Sequence, residues 1–159
     1  MSTSFLLGEH RRTLDERYRL SIPTELANSL AAEDGNCILV KERPGSLSLW
    51  NAAQWQDRLD RGVQLIQSKL EAGRLEGRIH DVQGLGRLLS TRHREVSLAG
   101  RGRLVIPEGF REFLGVEAGG ELLIVGAALC IEIWQPQAWF SFLEQTMPDF
   151  HRLFDQLSA

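Results

Sequence analysis

Cysteine and lysine are both scarce in this chain. Of its 159 residues two are cysteine, and only two of its 18 basic residues are lysine, the others being arginine. Two cysteines cannot build the dense disulfide framework that small secreted domains use. Cys37 and Cys130 both fall in predicted strands, so we expect buried, unreactive thiols rather than a disulfide or a metal site.

The sequence also lacks the features of a membrane protein, a secreted protein or an enzyme. No apolar run approaches the roughly 20 residues that cross a bilayer, and the N-terminus lacks the charged start and long apolar stretch of a signal peptide. The four histidines have no metal-ligand spacing with either cysteine. No serine–histidine–aspartate arrangement, phosphate-binding glycine loop or matched carboxylate pair stands out. We therefore expect a cytoplasmic protein that is not an enzyme and uses no cofactor.

What the sequence does contain is an internal repeat with an offset of 84 residues. Residues 14–59 align without a gap with residues 98–143. The first-copy residues that align with an identical residue 84 positions later are Leu14, Arg17, Arg19, Leu20, Ile22, Pro23, Leu30, Glu33, Gly35, Leu39, Trp50, Trp55 and Leu59. One copy alone is too small to bury much of a core, whereas two packed copies can. The repeat therefore predicts one structural unit used twice about a pseudo-two-fold axis.

Within each copy the pattern predicts strands, a short helix and a longer closing helix. Apolar residues alternate with strand periodicity in residues 19–22 and 47–50 of the first copy and 103–106 and 131–134 of the second. The continuous apolar runs 37–40 and 122–125 are also predicted to be strands. Pro23 and Pro107 are expected to begin the short helix, where a missing N–H group costs nothing, and Gly115 is expected to end its second copy. Asn51 and Pro136 are expected to begin the closing helix.

An apolar stripe at helical spacing follows in the first closing helix, made of Trp55, Leu59, Val63, Ile66 and Leu70. We expect Trp55 and its equivalent Trp139 to anchor the core rather than to stack on nucleic-acid bases. Residues 71–86 contain four glycines and are expected to form a loosely helical connector. The apolar side chains of residues 148–159 are expected to pack either on their own domain or on a neighbouring subunit.

The basic residues are concentrated in two equivalent segments. The net charge of the chain is −3, yet residues 87–103 carry five arginines and one glutamate, and residues 10–19 carry four arginines and two acidic residues. A pseudo-two-fold axis would bring both segments towards one side of the molecule. A basic face on an acidic body suits double-stranded nucleic acid as a ligand.

Residues 7–23 read Leu-Gly-Glu-His-x-x-Thr-Leu-Asp-Glu-Arg-x-Arg-Leu-x-Ile-Pro, and residues 98–107 read Leu-x-x-Arg-Gly-Arg-Leu-Val-Ile-Pro. These two segments resemble the MraZ family of bacterial regulators. The resemblance implies an α+β fold with two tandem AbrB-type swapped-hairpin modules. These would interleave as a pseudo-dimer within one chain and form a small β-barrel-like core with helices outside. We expect the first module at 5–55, a helix and connector at 56–87, the second module at 88–139 and a helical tail at 140–159.

The same resemblance implies a sequence-specific DNA-binding transcriptional regulator, which we expect to be a repressor. Chains of this family associate into ring-like homo-oligomers and bind direct repeats upstream of the cell-division and cell-wall gene cluster, which implies nucleoid association. The family's DNA-binding signature is Asp-x-x-x-Arg, once per module. The candidate DNA-binding residues are therefore Asp15, Arg17, Arg19, Arg101 and Arg103, with Arg11, Arg12, Arg92 and Arg94 expected to contact the phosphate backbone.

Three positions depart from the family's pattern, the first being Arg17, where Lys is usual. Ala99 stands where the second copy should have its Asp, so Arg103 keeps its charge but lacks a carboxylate that could orient its guanidinium. Tyr18 stands where Gly is usual, and because a side chain makes a positive φ costly, we expect the first loop to differ in shape. Either the two loops divide the work or the DNA site has partly decayed. The alternative function is an oligomeric scaffold or an antitoxin-like protein.

Overall fold

A computed structural model describes residues 5–30, 35–100 and 102–159, and these contain eight strands and six α-helices. In chain order they are β1 (Glu9–Thr13), β2 (Arg19–Ser21), α1 (Thr24–Leu30), β3 (Asn36–Arg43), β4 (Ser46–Asn51), α2 (Ala52–Glu71), α3 (Ile79–Thr91), β5 (His93–Ser97), β6 (Arg103–Val105), α4 (Phe110–Leu114), β7 (Glu121–Gly126), β8 (Ile131–Trp134), α5 (Pro136–Thr146) and α6 (Phe150–Ser158). The second set of β-strands repeats the first in the same order, as the internal repeat predicts.

The two copies exchange their first strands. The larger sheet has the antiparallel order β1-β7-β8-β4-β3-β5, so β1 of the first copy pairs with β7 of the second and β5 of the second copy pairs with β3 of the first. The strands β2 and β6 form a separate two-stranded ribbon. This exchange confirms the predicted α+β fold with interleaved swapped-hairpin modules and flanking helices.

The pseudo-two-fold axis passes through two strand pairs. Leu20 lies opposite Leu104 in the β2–β6 ribbon, and Ser48 lies opposite Glu132 in the β4–β8 pair. In each pair the two residues hold equivalent positions of the repeat. Leu20 and Leu104 are fully buried in one core to which both copies contribute. Neither copy could bury these side chains alone, so the folding of each module depends on the other.

The gap-free alignment of the two copies is wrong by one residue in the strands β3 and β7. Ile38 lies opposite Trp50 in the first hairpin, whereas Leu123 lies opposite Trp134 in the second, so the offset in this strand is 85 rather than 84. A one-residue slip turns every side chain to the other face of a sheet. The identical residues Leu39 and Leu123 therefore enter different apolar clusters.

One additional residue precedes β7. The carbonyl of Gly35 accepts a hydrogen bond from Leu98, and the carbonyl of Gly120 accepts the equivalent bond from Leu14. The two donors, Leu14 and Leu98, are 84 residues apart, whereas the two acceptors are 85 residues apart. The second copy therefore has one additional residue between α4 and the carbonyl of Gly120. The offset returns to 84 in β8, because the register of the first hairpin shifts by one residue between Lys41 and Arg43 of β3, whereas β7 and β8 pair without a shift.

The predicted helix starts and ends are confirmed with one exception. The Asn51 side chain caps α2, Pro136 lies in the first turn of α5, and Gly115 ends α4 with φ of 74°. The α-helix after Pro107 begins only at Phe110. Gly109 has φ of 87° there, so the chain turns once before the helix can start.

The connector between the copies is more regular than its glycines suggest. A turn and one 3₁₀ turn follow α2, after which α3 runs through both of its glycines to Thr91. The predicted division between residues 87 and 88 falls inside this helix. Of the two tryptophans expected to anchor the core, Trp139 is buried. Trp55 is only half-buried and stacks on His93 with 4.4 Å between ring centroids, so its assignment to the core was wrong.

The tail does not pack on its own domain. The helix α6 has no buried residue, and its apolar side chains are exposed, with Leu157 at 83%. Of the two expected locations for this tail, packing against the chain's own core is therefore ruled out. An apolar helix face of this kind is suited to a partner.

Candidate nucleic-acid interface

Two equivalent loops meet at one cleft. We name the segment 15–19, between β1 and β2, loop 1, and the segment 99–103, between β5 and β6, loop 2. Pairing of β2 with β6 sets Ser21 opposite Arg103 and Arg19 opposite Val105. Thr13, Asp15, Arg19, Ser21 and Arg103 line a common cleft of about 270 Å³. The fold thus brings an arginine from each copy to one place.

Asp15 organises loop 1 with both of its carboxylate oxygens. Its Oδ1 accepts hydrogen bonds from the backbone N–H groups of Arg17 and Arg19, at 2.8 and 2.9 Å. Its Oδ2 accepts a bond from Nε of Arg19 at 2.8 Å. The contact expected between Asp15 and Arg19 is therefore present, and the guanidinium is held in one orientation while remaining about a third exposed.

The same contacts lower the pKa of Asp15 below its ordinary value of 3.8. The backbone N–H of Arg19 has the largest effect; partial desolvation acts in the opposite direction, and the Arg19 side chain and the backbone N–H of Arg17 add to the lowering. Each donor stabilises the ionised carboxylate. Asp15 is therefore charged at neutral pH, and loop 1 keeps its hydrogen bonds there.

Tyr18 adopts the backbone conformation that glycine usually supplies. Its φ is 59°, in the same left-handed region as Gly102 of loop 2 at 87°, so the expected difference at this position is absent. The Arg111 guanidinium lies 3.9 Å from the centroid of the Tyr18 ring, and its Nε donates to the carbonyl of Ile106 at 2.8 Å. The N–H of Ile106 in turn donates to the carbonyl of Tyr18 at 2.9 Å. These contacts offset the strain of a tyrosine at positive φ.

Loop 2 closes without a side-chain partner. Ala99 and Arg103 exchange two backbone hydrogen bonds of 2.9 Å. Among the described residues no carboxylate lies within salt-bridge distance of the Arg103 guanidinium. Arg103 therefore keeps its charge in the common cleft but is not fixed in orientation as Arg19 is.

A close contact replaces the tyrosine stack beside loop 2. A Cβ atom at Gly102 would lie 2.9 Å from the carbonyl oxygen of Ile22 and 3.0 Å from Cβ of Ala27. Ala27 and Arg111 hold equivalent positions of the repeat. Gly102 and Ala27 thus form a small pair at the positions where Tyr18 and Arg111 form a large pair. In both copies the residue of the loop and the residue of the helix that supports it are matched in size.

The other candidate residues of the first copy do not line the cleft. Arg11 Nη1 lies 2.6 Å from Oε2 of Glu121, so part of its charge is offset by a surface ion pair. Arg12 donates to the carbonyl of Arg11, and Arg17 is exposed in loop 1. Contact of these arginines with DNA stays a prediction.

The candidates of the second copy are more dispersed. Arg92 lies at the end of α3, where its Nε donates to the carbonyl of Lys41 at 3.1 Å, and it lines a different cleft. Arg94 is exposed on β5. Arg101 lies outside the described residues. The structure therefore gathers Asp15, Arg19 and Arg103, and leaves the role of the others a prediction.

Two residues of the cleft were not identified from the sequence. Thr13 and Ser21 contribute hydroxyl groups to its wall, and hydroxyls are common donors to phosphate oxygens. Ser21 follows Arg19 by two residues in the same strand and so shares its face, a period-two signal that could have revealed it. Over the described ranges there is no cluster of three or more metal-binding side chains and no helix with the length and hydrophobicity needed to span a bilayer.

Known proteins are similar to this chain over most of its length. The family model described as "MraZ protein, putative antitoxin-like" matches residues 90–156. The Transcriptional regulator MraZ of Methylobacillus flagellatus is 31% identical over 141 residues, covering 88% of this chain and 87% of that protein. Those of Syntrophomonas wolfei and Thermus thermophilus are 25% and 26% identical, covering 95% and 88% of each chain, respectively. Identity at this level across nearly the whole length shows that the chain belongs to the MraZ family.

Proposed function

We propose that this chain is a sequence-specific DNA-binding transcriptional regulator that reads DNA with loops 1 and 2 together. The observation that carries this proposal is the common cleft, in which Arg19 and Arg103 meet across the β2–β6 ribbon. Arginine suits this role because its planar guanidinium can donate two bonds to a guanine edge or to a phosphate. The relatives are named as transcriptional regulators, and a member of such a family is not an enzyme.

The two loops would divide the work. Arg19 is held by Asp15 and can present its free guanidinium nitrogens to a base edge in one geometry. Arg103 has no such restraint and would act through its charge, with hydroxyls of the cleft and the surrounding arginines positioning the phosphates. Phosphate contacts of this kind make binding strongly dependent on salt concentration. Of the two alternatives that the sequence left open, this proposal adopts the one in which the two loops divide the work.

We further propose that chains assemble into a ring that binds direct repeats and represses the promoter of a cell-division and cell-wall gene cluster. The apolar face of α5 and α6 supports assembly, because Phe140, Met147, Phe150 and Phe154 are each more than half exposed. Several copies bound to repeated sites would gain affinity through multivalency. Binding to promoter DNA would place the protein at the nucleoid.

A mobility shift on the chain's own upstream region tests this function. Wild type should shift that fragment in preference to a scrambled one, and Arg19→Ala and Arg103→Ala should each weaken the shift. Arg61→Ala is the matched control, because Arg61 is an arginine paired with Asp57 on the surface of α2. A folded wild type that shows no preference for the upstream fragment, or a control variant as weak as the loop variants, would contradict the proposal.

The proposed ring has its own test. Phe154→Glu places a charge on the exposed apolar face of α6 and should reduce the mass measured by light scattering. It should weaken binding to DNA with several repeats while leaving binding to a single repeat unchanged. If the variant keeps the wild-type mass, the assembly does not use this face.

An antitoxin-like role is the second candidate, favoured by the family description that includes those words and by the exposed face of α6. In that case α6 would bind a partner protein rather than another copy. Three results together would favour this function over the first. The wild type would be monomeric, it would fail to bind its upstream DNA, and it would bind a defined partner protein in a way that requires Leu153 and Leu157.

A further inference from the structure

A second cleft, of about 310 Å³, lies between α2, α3 and the sheet. Most of its wall is apolar, contributed by Trp55, Leu59, Val63 and Ile66 of α2 and Leu85 and Leu89 of α3. Four of the five residues of the predicted apolar stripe thus face this cleft, among them Trp55, which was expected to anchor the core. Neither α2 nor α3 has a fully buried residue, so the stripe remains without the close packing that a core would give it.

A glycine in the middle of α2 keeps the cleft wide. Gly62 lines it, and a Cβ atom built there would meet no other atom within 4 Å. Glycine inside a helix costs roughly 1 kcal/mol relative to alanine, and here no backbone conformation or close neighbour requires it. A side chain at this position would therefore take up open space next to the cleft that Gly62 lines.

The ionisable groups that line the cleft are all basic. They are Arg58, Arg92 and His93, with no carboxylate among the lining residues. Arg58 is exposed and so lies at the rim. Arg92 Nη2 is 3.5 Å from Oε2 of Glu42, which does not line the cleft. This long contact offsets part of the charge of Arg92 but leaves its guanidinium able to donate to a closer anion.

His93 adds a polar contact inside the cleft. Its ring stacks on Trp55, and burial, followed by the charge of Arg92, lowers its pKa. The imidazole is therefore neutral at neutral pH and can donate one hydrogen bond. An anion bound beside it would favour the protonated form.

We propose that this cleft binds a small amphipathic carboxylate, with its apolar tail along α2 and α3 and its carboxylate beside Arg58, Arg92 and His93. The cleft volume lies at the lower end of the roughly 300–1,000 Å³ of small-molecule sites. The tail would cover the apolar stripe, and the head group would meet the two guanidinium groups that best suit a carboxylate. No residue of the first cleft takes part, so this proposal does not rest on DNA reading by loops 1 and 2, and Arg92 is the one candidate DNA-binding residue that the two proposals share.

Calorimetric titration of the full chain with decanoate, below the concentration at which it forms micelles, tests the proposal. We expect saturation at one decanoate per chain and no binding of decyltrimethylammonium, which has the same tail and the opposite charge. The double variant Arg58→Gln/Arg92→Gln should bind decanoate about tenfold more weakly, because charge-assisted hydrogen bonds are lost.

Filling the cleft provides the second arm. Gly62→Leu places a side chain in the space and should abolish decanoate binding. Gly86→Leu is the matched control, because Gly86 also lies inside a helix with no neighbour within 4 Å of its Cβ but does not line the cleft. Equal affinity for the two probes, or unchanged binding in Gly62→Leu, would overturn the proposal. The proposal would also be overturned if wild type bound no decanoate and Gly62→Leu changed the oligomeric mass. That result would show that the cleft binds a second copy of the chain.

Discussion

Loops 1 and 2 keep their arginines in equivalent positions but hold them by different means. In loop 1 the Asp15 carboxylate binds the backbone and the side chain of Arg19. In loop 2 Ala99 offers only its backbone, so Arg103 keeps charge without orientation. A repeat can thus preserve the electrostatic part of a binding site in both copies and the directional part in one, which yields an asymmetric interface from a nearly symmetric fold.

The support beneath each loop shows the same principle. Tyr18 rests on Arg111, and Gly102 rests against Ala27, at equivalent positions of the repeat. Both loop residues have a positive φ. A large pair and a small pair therefore produce the same backbone turn, and each pair constrains which substitutions the opposite copy tolerates.

The largest effect is expected where the small pair is broken. Gly102→Tyr should destabilise the protein by roughly 2–4 kcal/mol in urea unfolding, because overpacking adds to the strain of positive φ. Gly100→Tyr is the matched control, since Gly100 also has positive φ but has no atom within 4 Å of a built Cβ. Equal losses of stability in the two variants would show that the contact with Ile22 and Ala27 does not matter.

A smaller loss is expected from the large pair. Arg111→Ala removes the stack on Tyr18 and the hydrogen bond to Ile106, and should cost about 1–2 kcal/mol of unfolding free energy. In Tyr18→Gly/Arg111→Ala, which recreates the small pair, the loss should be less than the sum of the single variants. Strict additivity of the three urea measurements would contradict the pairing.

Giving loop 2 the missing carboxylate should sharpen its reading of DNA. Ala99→Asp places a carboxylate four residues before Arg103, as Asp15 stands before Arg19. We expect the ratio of affinities for the upstream fragment over scrambled DNA to rise roughly two- to fivefold, because an oriented guanidinium discriminates better than a mobile one. Fluorescence anisotropy measures both affinities, and an unchanged ratio would show that loop 2 contributes charge alone.

The smallest effect concerns the pKa of Asp15, measured by NMR of its carboxyl carbon. It should lie below 3.8 in wild type and rise in Arg19→Ala while staying lowered, because the backbone N–H at this position is the strongest single cause and alanine retains it. A depressed folded-state pKa favours the folded state above the unfolded value of 3.8, and this contribution is lost as the pH falls through the folded-state pKa. A return to 3.8 in Arg19→Ala would assign the effect to the guanidinium.

The sequence predicted most of the fold because the repeat carries its own pattern. Identical residues at one offset identified the paired modules, and prolines, glycine and Asn51 marked helix ends correctly except after Pro107. The sequence could not reveal the one-residue shift in β7, because Leu39 and Leu123 match by identity while their strands pair in different registers.

The site was predictable in part for a related reason. Asp15 and Arg19 lie four residues apart, and a local contact of this kind can be read from spacing. The support of Tyr18 by Arg111 joins residues far apart in the chain, and nothing in a single sequence indicates it. Trp55 has helical periodicity typical of a core residue, yet periodicity cannot distinguish a packed core from the wall of a cleft.

The most direct test of this account is the DNA affinity of Asp15→Ala for the upstream fragment and for a scrambled fragment at one salt concentration. The variant keeps Arg19 and Arg103 and removes one negative charge, so a purely electrostatic role for the loops predicts tighter binding to both fragments. If an oriented Arg19 reads the sequence, binding to scrambled DNA is unchanged or tighter while binding to the upstream fragment weakens, so that the preference is lost. A preference equal to that of wild type would contradict the claim that an oriented Arg19 reads the sequence.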